Sequence, residues 1–385
     1  MSASGAGATA SRGRSRAAGR SGRKRSSRPL VVSAFGTRPQ LIKLSSLWEL
    51  LEDSFRSVLI DSGQHYDYEM AGTFYSGGRI RKPDIYLGIK RDTVAGQVAG
   101  IADAMNRAFK KLQPDALLTF GDTSTTAGAA LAGAYHNIPV AHVEAGLRSF
   151  SFDSAEEKNR IVADHLATWR FCPTSTSITN LRREGLTVGN YGVGDVLYES
   201  FCRLSANSND AAILAQFGVA PSEYYFVTSH RAETVDNPIR LKKLVAIVKS
   251  LDRRTVFAVH PRTRKNLIAN RLWSNLSRHS RLVLTEPLDH ARTLALVRDA
   301  RAVLTDSGGV QREACWAKTP CLTLRDRTEW IEAVACGANR IVDLDQDSVR
   351  AALHRPFRIR PISDRYFRMR DPSRRIVERL RADLS

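Results

Sequence analysis

The chain has 385 residues, 43% of them hydrophobic and 25% charged, so it is long enough for two domains with full cores. No stretch approaches the ~18 consecutive apolar residues of a membrane-spanning helix, so we expect no membrane partner. A formal net charge of +19 would indicate a nucleic-acid binder if the positive charges formed one surface. The excess instead lies near the two ends, in residues 11–29 and 355–381, and no basic patch is interleaved with aromatic residues. We therefore expect no nucleic-acid partner.

The first 28 residues form a region of distinct composition. Residues 11–29 contain eight basic residues and no acidic one, among many Gly, Ala and Ser. Such a segment cannot bury enough surface to offset the entropy lost on ordering, so we predict a disordered basic extension over residues 1–28. A solvated tail is favoured over a polyanion-binding arm, and no apolar core of a secretion signal is present. The acid-free, Arg-rich composition also suits a transit peptide, and this interpretation remains an alternative.

From residue 29 onward, short apolar runs alternate with longer segments of helical period, such as residues 41–51 and 241–251. The predicted strands are LVVSAF, SVLID, ALLTF, PVAHV, YYFVT, TVFAV, LVLTE, AVLTD and CLTL. Strands that are apolar throughout are buried on both faces, which is typical of parallel sheets covered by helices. We therefore predict an α/β fold with two doubly wound domains that face each other across a cleft.

The boundary between the domains is predicted within residues 188–196, where Gly and Asn cluster before the strand pattern restarts. This gives a first domain over residues 29–195, a second over 196–360, and a C-terminal helical segment over 361–385. The five cysteines have no spacing that suits zinc, so we expect no metal site. Reduced core thiols in a cytoplasmic enzyme are the favoured interpretation.

Charged or glycine-rich segments follow five of the predicted strands, and ligands bind beyond the carboxyl ends of strands in open α/β sheets. The segments are GTRPQLIK, GDTSTT, EAGLR, SHRAE and DSGGVQRE. They place Arg38, Asp122, Glu144, His230 and Asp306 at strand ends. A single polar residue at such a position is common, because polar residues cap helices. Five of them at the ends of five strands indicate a binding site.

The segment DSGGVQRE has the pattern of an anion site. Gly308 and Gly309 let the backbone approach a ligand, and the helix that follows presents free N–H groups and its positive dipole end. A phosphate or diphosphate is the natural ligand, and Glu313, one turn later, is placed to bind a ribose hydroxyl. A simple strand-to-helix turn is equally favoured. The spacing is neither GxGxxG nor GxxxxGK[ST], so neither a dinucleotide site nor a P-loop is indicated.

GTRPQLIK offers similar geometry in the first half of the chain. Arg38 can bind a phosphate through two N–H donors, and Lys43 follows about one and a half helical turns later. Taken alone, an ordinary helix start with Pro39 in its first turn is favoured.

The first domain also carries several carboxylates that could transfer protons. They are Asp122, Glu144 and the pair Glu156 and Glu157, and His230 faces them from the second domain. Removal of a C–H proton needs a positioned base, and a departing phosphate needs cationic or N–H partners, so the set suits elimination chemistry. A capping box at DSAEE, with Asp153 or Ser154 as N-cap, is the alternative for one of the two glutamates.

Eleven short motifs, in this order, resemble the non-hydrolysing UDP-N-acetylglucosamine 2-epimerase family. They are GTRPQLIK, SGQHYD, GDTSTT, HVEAGLRS, EEKNRIVADHLA, VGDVLYES, TSHRAE, HPRTRK, EPLDH, TDSGGVQREA and PCLTLRDRTEW. The resemblance implies two Rossmann-like domains in the GT-B arrangement and inversion at C2 of a UDP-2-acetamido sugar, through elimination and re-addition of UDP. It implies a UDP-sugar as partner, no redox cofactor and no metal, and it makes a homodimer one expectation.

The resemblance also assigns roles to residues. The catalytic positions fall on Asp122, Glu144, Glu156 and His230, and the substrate-binding positions on Arg38, Lys43, Ser307, Gly308, Gly309 and Glu313. Gln64 and His65 match a region linked in some relatives to activation by UDP-GlcNAc.

Three departures from the family pattern stand out. Ala155 replaces the usual Pro before the Glu pair, Trp330 stands where GlcNAc-specific enzymes usually carry Arg, and the YGDG-type loop before the last helix is absent. A final helix at residues 373–384, which crosses back to the first domain in the family, is still predicted.

RTEW, HPRTRK and PCLTLR resemble the branch that includes UDP-2,3-diacetamido-2,3-dideoxyglucuronate 2-epimerases. UDP-GlcNAc stays equally open as substrate. A GT-B glycosyltransferase is the alternative function, although it leaves the GDT and HVEAGLR carboxylates without a clear task. A catalytically silent binding protein ranks last.

Overall fold

The computed structural model describes residues 28–64, 80–206 and 209–385. The predicted disordered extension, apart from Arg28, lies outside the described residues, as does His65. Arg28 itself donates hydrogen bonds to the carbonyls of Glu52 and Asp53. No helix within these described ranges has the length and apolar character needed to cross a bilayer.

The first sheet has seven parallel strands in the order β3-β2-β1-β4-β5-β6-β7. The strands are β1 (Leu30–Phe35), β2 (Arg56–Asp61), β3 (Ile85–Tyr86), β4 (Ala116–Phe120), β5 (Val140–Val143), β6 (Trp169–Cys172) and β7 (Asn190–Gly192). The helices along this part of the chain are α1 (Arg38–Ser54), α2 (Val94–Leu112), α3 (Ser124–Tyr135), α4 (Ala155–Leu166), α5 (Ser175–Arg183) and α6 (Val196–Ala206). Helices that cover both faces explain why the central strands are apolar throughout.

The second sheet has six parallel strands in the order β10-β9-β8-β11-β12-β13. They are β8 (Tyr224–Ser229), β9 (Arg254–Val259), β10 (Leu282–Thr285), β11 (Ala302–Thr305), β12 (Cys321–Thr323) and β13 (Asn339–Ile341). The remaining helices are α7 (Asp210–Gln216), α8 (Ala232–Val235), α9 (Pro238–Ser250), α10 (Pro261–Ala269), α11 (Trp273–Ser277), α12 (His290–Arg298), α13 (Gly308–Ala317), α14 (Ile331–Ala335), α15 (Gln346–His354) and α16 (Pro372–Leu384).

Both sheets reverse their strand order at the first strand of each half. β1 pairs with β2 on one side and β4 on the other, and β8 pairs in the same way with β9 and β11. Neighbouring connections leave in opposite directions at such a point and open a crevice beyond the carboxyl ends. The loops that carry the candidate residues start there.

All nine predicted strands are confirmed, and four strands were not predicted. The missed strands, β3, β6, β7 and β13, have only two to four residues each. β7 lies inside residues 188–196, which the sequence indicated as a connection. Pairing with β6 draws Asn190 and Gly192 into a strand in spite of their low β propensity. The proposed division at residue 195 falls between the two sheets.

The interpretation of the cysteines as core thiols is confirmed for four of the five. Cys172, Cys315, Cys321 and Cys336 are buried, whereas Cys202 is exposed. All five are free.

The C-terminal helix α16 packs on the first sheet's helical layer, against α1. Its residues Ile376, Val377 and Leu380 are buried in the same apolar cluster as Val31 of β1 and Leu44 of α1. The indole of Trp169 also donates a 2.6 Å hydrogen bond to Asp383. The helix predicted at residues 373–384 is therefore present, and it ties the end of the chain back to the first half.

We expect Leu380→Ala to lower the free energy of unfolding by about 2–5 kcal/mol, because it opens a cavity between α16 and α1. Denaturant unfolding followed by circular dichroism measures this loss. Arg381→Ala, at an exposed position one residue later, is the control and should change stability little. Equal effects of the two substitutions would contradict the packing role of α16.

Candidate functional site

The carboxyl ends of the two sheets face each other, and polar side chains join them across the gap. The joining contacts are Arg38 to the Leu288 carbonyl at 2.6 Å, Glu144 to Arg312 at 2.8 Å, Glu156 to Arg231 at 2.6 Å and Arg160 to Glu329 at 2.9 Å. Arg38, Arg231 and Arg312 follow strands at the two reversal points, namely β1, β8 and β11. The cleft between the sheets is therefore lined by alternating acids and bases.

Glu144, directly after β5, is the most enclosed of the three carboxylates that the resemblance assigns as catalytic. Its Oε1 lies 2.8 Å from the Lys43 ammonium, its Oε2 lies 2.8 Å from Arg312, and only 9% of the side chain is exposed. Burial alone would raise the pKa of Glu144, but Arg312 and Lys43 lower it to about 2. The backbone at Glu144 has φ 70°, a left-handed conformation that costs a residue with a Cβ about 1–3 kcal/mol. Such strain is typical of functional sites.

Asp122 follows β4 and is held from two sides. Its carboxylate forms an ion pair with Arg160, and its carbonyl accepts a 3.0 Å hydrogen bond from Asn159. Gly121 has φ +66°, and a Cβ there would lie 3.0 Å from the Lys43 ammonium. Glycine at 121 thus lets Lys43 pass close to the backbone beside Asp122. The Asp122 side chain remains 23% exposed towards the cleft.

Glu156 lies in the first turn of α4 and points across the cleft. It pairs with Arg231 at 2.6 Å, accepts a 2.7 Å hydrogen bond from Ser154, and is 36% exposed. Burial tends to raise its pKa, but Arg231 and the Ser154 hydroxyl lower the pKa of Glu156 to about 2. The carboxylate is therefore ionised at any physiological pH.

The capping box at DSAEE is not formed. Ser154 is the N-cap of α4, but it makes no side-chain cap bond because its hydroxyl bonds Glu156. Glu157 instead accepts 2.9 Å hydrogen bonds from the Ser149 amide, the Ser149 hydroxyl and the Phe150 amide. Glu157 thereby fixes the loop before α4, where Ala155 replaces the more rigid proline of the family pattern.

His230 follows β8 and is oriented through Asp306. The buried carboxylate of Asp306 accepts hydrogen bonds from the backbone amides of His230 and Arg231 and from the Ser229 hydroxyl. The His230 imidazole keeps 39% of its surface open to the cleft. Burial against the neighbouring residues lowers the pKa of His230. The negative charge of Asp306, 3.5 Å away, acts in the opposite direction. A neutral imidazole in the cleft is the consequence.

The two glycines of DSGGVQRE have different surroundings. Ser307 is the N-cap of α13, and Gly308 and Gly309 are its first residues. A Cβ on Gly308 would lie 2.8 Å from the indole nitrogen of Trp330, whereas a Cβ on Gly309 would meet nothing closer than 3.8 Å. Packing against Trp330 therefore explains Gly308, and open space at Gly309 leaves the helix N-terminus free for an anion.

Glu313 is buried one turn and a half into α13. The Nε2 atom of His290 lies 2.6 Å from its Oε1, and His290 begins α12. Arg38 reaches the same corner from the first sheet, where its NH2 group donates to the Leu288 carbonyl. Burial lowers the pKa of Arg38, partly offset by Asp289 and Glu313. The two halves of the predicted substrate-binding set therefore meet here.

Sequence analysis missed Glu329, on which three arginines converge. Arg160 and Arg325 approach its two oxygens at 2.9 Å, and Arg231 lies 3.4 Å away. Burial tends to raise the pKa of Glu329, but the three guanidinium groups hold it below its usual range. All four residues belong to quoted motifs, so their charge within apolar surroundings was the available signal. No spacing rule links them, because they come from both halves of the chain.

The arrangement offers carboxylates and an imidazole for proton transfer and a helix N-terminus for an anion. Within residues 28–64, 80–206 and 209–385, no three His, Cys, Asp or Glu side chains cluster in the way metal ligands do. The described side chains thus suit acid and base chemistry on an anionic substrate.

Comparison with known proteins gives consistent matches. The profile of a family described as UDP-N-acetylglucosamine 2-epimerase matches residues 49–381. A Methanococcus maripaludis protein named UDP-N-acetylglucosamine 2-epimerase homolog is 36% identical over 356 residues, covering 91% of this chain and 99% of the relative. The UDP-2,3-diacetamido-2,3-dideoxy-D-glucuronate 2-epimerase of Pseudomonas aeruginosa is 34% identical over 327 residues, covering 83% and 90%.

A solved structure shows the same architecture. The crystal structure of Methanocaldococcus jannaschii UDP-GlcNAc 2-epimerase in complex with UDP-GlcNAc and UDP is 34% identical and covers 91% of this chain and 99% of its own. The two folds superpose with a TM-score of 0.84. The two facing parallel-sheet domains are thus the GT-B arrangement that the sequence predicts.

We expect Glu329→Gln to lower the free energy of unfolding by about 3–5 kcal/mol near pH 7, because three arginines lose their shared anion. The native pKa of Glu329 lies below its unfolded value of about 4.3, so this contribution is complete above that pH and shrinks as the pH falls. Urea unfolding at several pH values measures it. Glu286→Gln, in an exposed pair, is the control. A difference that does not depend on pH would refute the assignment.

Proposed function

Because the chain belongs to the UDP-N-acetylglucosamine 2-epimerase family, we propose that it inverts C2 of a UDP-2-acetamido sugar. In the first half-reaction the C2 proton leaves to a base while the C1–O bond to UDP breaks, which gives UDP and a 2-acetamido glycal. In the second, the UDP oxygen adds back to C1 and a proton reaches C2 from the opposite face. No electrons are gained or lost overall, so the reaction needs no redox partner.

The observation that carries this proposal is the convergence of Asp122, Glu156 and His230 on one cleft. Two proton-transfer groups are needed, one for each face of C2, and Asp122 and Glu156 are the carboxylates with exposed oxygens. Both oxygens of Glu144 are occupied by cations, so we assign it the task of fixing Lys43 and Arg312. A neutral His230 can donate an N–H to the departing diphosphate.

The ion pair of Glu156 suggests how substrate activates the site. A carboxylate with a pKa of about 2 is a weak base while it contacts Arg231. The diphosphate of a bound UDP-sugar is a stronger competitor for that guanidinium, since it offers more negative charge and bidentate geometry. In this proposal, substrate binding draws Arg231 away from Glu156 and so raises the basicity of the carboxylate.

The nucleotide is proposed to bind on the second domain. The N-terminus of α13, with Ser307, Gly308 and Gly309, supplies amide donors for the diphosphate, and Glu313 contacts the ribose. The M. jannaschii enzyme, solved in complex with UDP-GlcNAc and UDP, supports a UDP-sugar for this fold. The relatives include enzymes named for UDP-GlcNAc and for the diacetamido glucuronate, and both sugars are tested below.

We expect the purified chain to exchange the C2 proton of one of these two sugars for deuterium in D2O. Proton NMR should show the original C2 signal decline while the C2 epimer appears with deuterium at that carbon. The sugar that turns over faster identifies the substrate. UDP binding without C2 exchange in either sugar would refute the proposal and favour a GT-B glycosyltransferase.

We expect Asp122→Asn and Glu156→Gln each to lower the rate of C2 exchange by about 10²–10⁴-fold, because each removes one proton-transfer group. Both amides keep the side-chain shape, so UDP affinity should change much less. Asp347→Asn, at an 88% exposed side chain remote from the cleft, is the control. Exchange rates of either variant within a few-fold of the parent would contradict its assignment.

A further inference from the structure

Arg312 occupies a central position between the two halves of the chain. Its guanidinium is buried, and one NH1 atom contacts both Glu144, at 2.8 Å, and Asp195. Glu144 follows β5, and Asp195 lies between β7 and α6, whereas Arg312 belongs to α13 of the second half. One cation therefore neutralises two buried carboxylates from the other side of the cleft.

The position of the guanidinium is fixed by Trp330. The central guanidinium carbon lies 3.8 Å from the centroid of the indole, which is a cation–π stack, and the Nε atom donates to the Gly308 carbonyl at 3.3 Å. Trp330 is itself buried and contacts Gly308 through its indole nitrogen. The same indole thus packs against the anion-binding turn and supports the cation that reaches Glu144.

The two buried carboxylates of Glu144 and Asp195 depend on Arg312 and Lys43 for neutralisation. Burial raises the pKa of Asp195, with Arg312 opposing and the nearby charge of Glu144 adding to the rise. The pKa of Glu144 is lowered by Arg312 and Lys43 together, against its burial. Among the ion pairs of the described residues, removal of Arg312 would leave Glu144 with Lys43 and would leave Asp195 without a cation. A buried carboxylate would then lack a neutralising partner.

We propose that Arg312, supported by Trp330, is a positioning residue that couples the nucleotide-binding turn at Gly308 and Gly309 to the acid–base apparatus through Glu144. This inference rests on the proposed function. When α13 is in place, Arg312 keeps Glu144 ionised and aligned, and Glu144 in turn holds Lys43 beside Gly121 and Asp122. The diphosphate site of one domain and the proton-transfer site of the other are thereby assembled together.

A double-mutant cycle with Glu144→Gln and Arg312→Gln tests the coupling, with C2 exchange per UDP-binding site as the measure. Counting sites by UDP titration removes any loss caused by unfolded protein. We expect Arg312→Gln alone to lower kcat on the order of 100-fold and to move the acidic limb of the kcat profile to higher pH. In the Glu144→Gln background the same substitution should cost less than about threefold, because its target is already gone.

Conservative variants keep the test decisive if Arg312→Gln folds poorly. Trp330→Phe retains an aromatic face and should keep kcat within about threefold, whereas Trp330→Ala should lower it about tenfold. Arg340→Gln is the matched control, since Arg340 stacks on Phe357 at 3.7 Å far from the cleft. It should leave kcat and its pH profile unchanged.

The outcomes separate this inference from the proposed function. A parent chain that exchanges no C2 proton in either sugar overturns both proposals. An active parent with additive effects of the two substitutions, or with an unchanged pH profile in Arg312→Gln, overturns the coupling alone. A Trp330→Ala variant with kcat as high as that of the Arg340→Gln control would also overturn the coupling.

Discussion

The shared carboxylate of Glu329 is the contact on which the relation between the two domains depends. Arg160 comes from α4 of the first half, while Arg231 and Arg325 come from the second, and all three end on this one buried group. Buried charges are costly to desolvate and are stabilising only when each finds its partners. The cluster therefore favours the mutual placement of the two sheets seen here, in which each of these buried charges has a partner.

Ion pairs of the other carboxylates limit the chemistry that the site can perform without substrate. Glu144 and Glu156 each contact a cation that lowers the pKa of the carboxyl group, so neither is a strong base in this state. A site that must abstract a proton from carbon gains by keeping its bases neutralised until an anionic ligand arrives. In the proposed mechanism, the substrate diphosphate supplies the competing charge, and the carboxylate gains the basicity needed for catalysis only when a substrate is bound.

Most of the fold could be predicted from the sequence, because the central strands are apolar on both faces and the helices keep their period. The strands that were missed are short, and three of the four, β3, β7 and β13, lie at sheet edges. Most of the predicted site residues lie at strand ends and helix starts, positions that an α/β pattern makes visible. Their catalytic and binding roles stay predictions, as do the domain limits and the homodimer.

The cross-cleft partners could not be predicted, because their contacts join residues from the two halves of the chain. Glu144 with Arg312 and Arg160 with Glu329 are separated by 168 and 169 residues. No periodicity or motif spacing carries such information. The capping box at DSAEE was wrong for a related reason: the local pattern fits, but Glu157 finds stronger partners in the preceding loop.

Trp330 shows how a departure from the family pattern can keep the charge of a site. The resemblance places an arginine at this position in GlcNAc-specific enzymes, and an indole carries no charge. Here the guanidinium comes from Arg312 and the indole supplies the flat surface on which it lies. The requirement for glycine at 308 follows, since the indole occupies the space of a Cβ. Arg312 and Trp330 together place a positive charge beside the turn at Gly308 and Glu144.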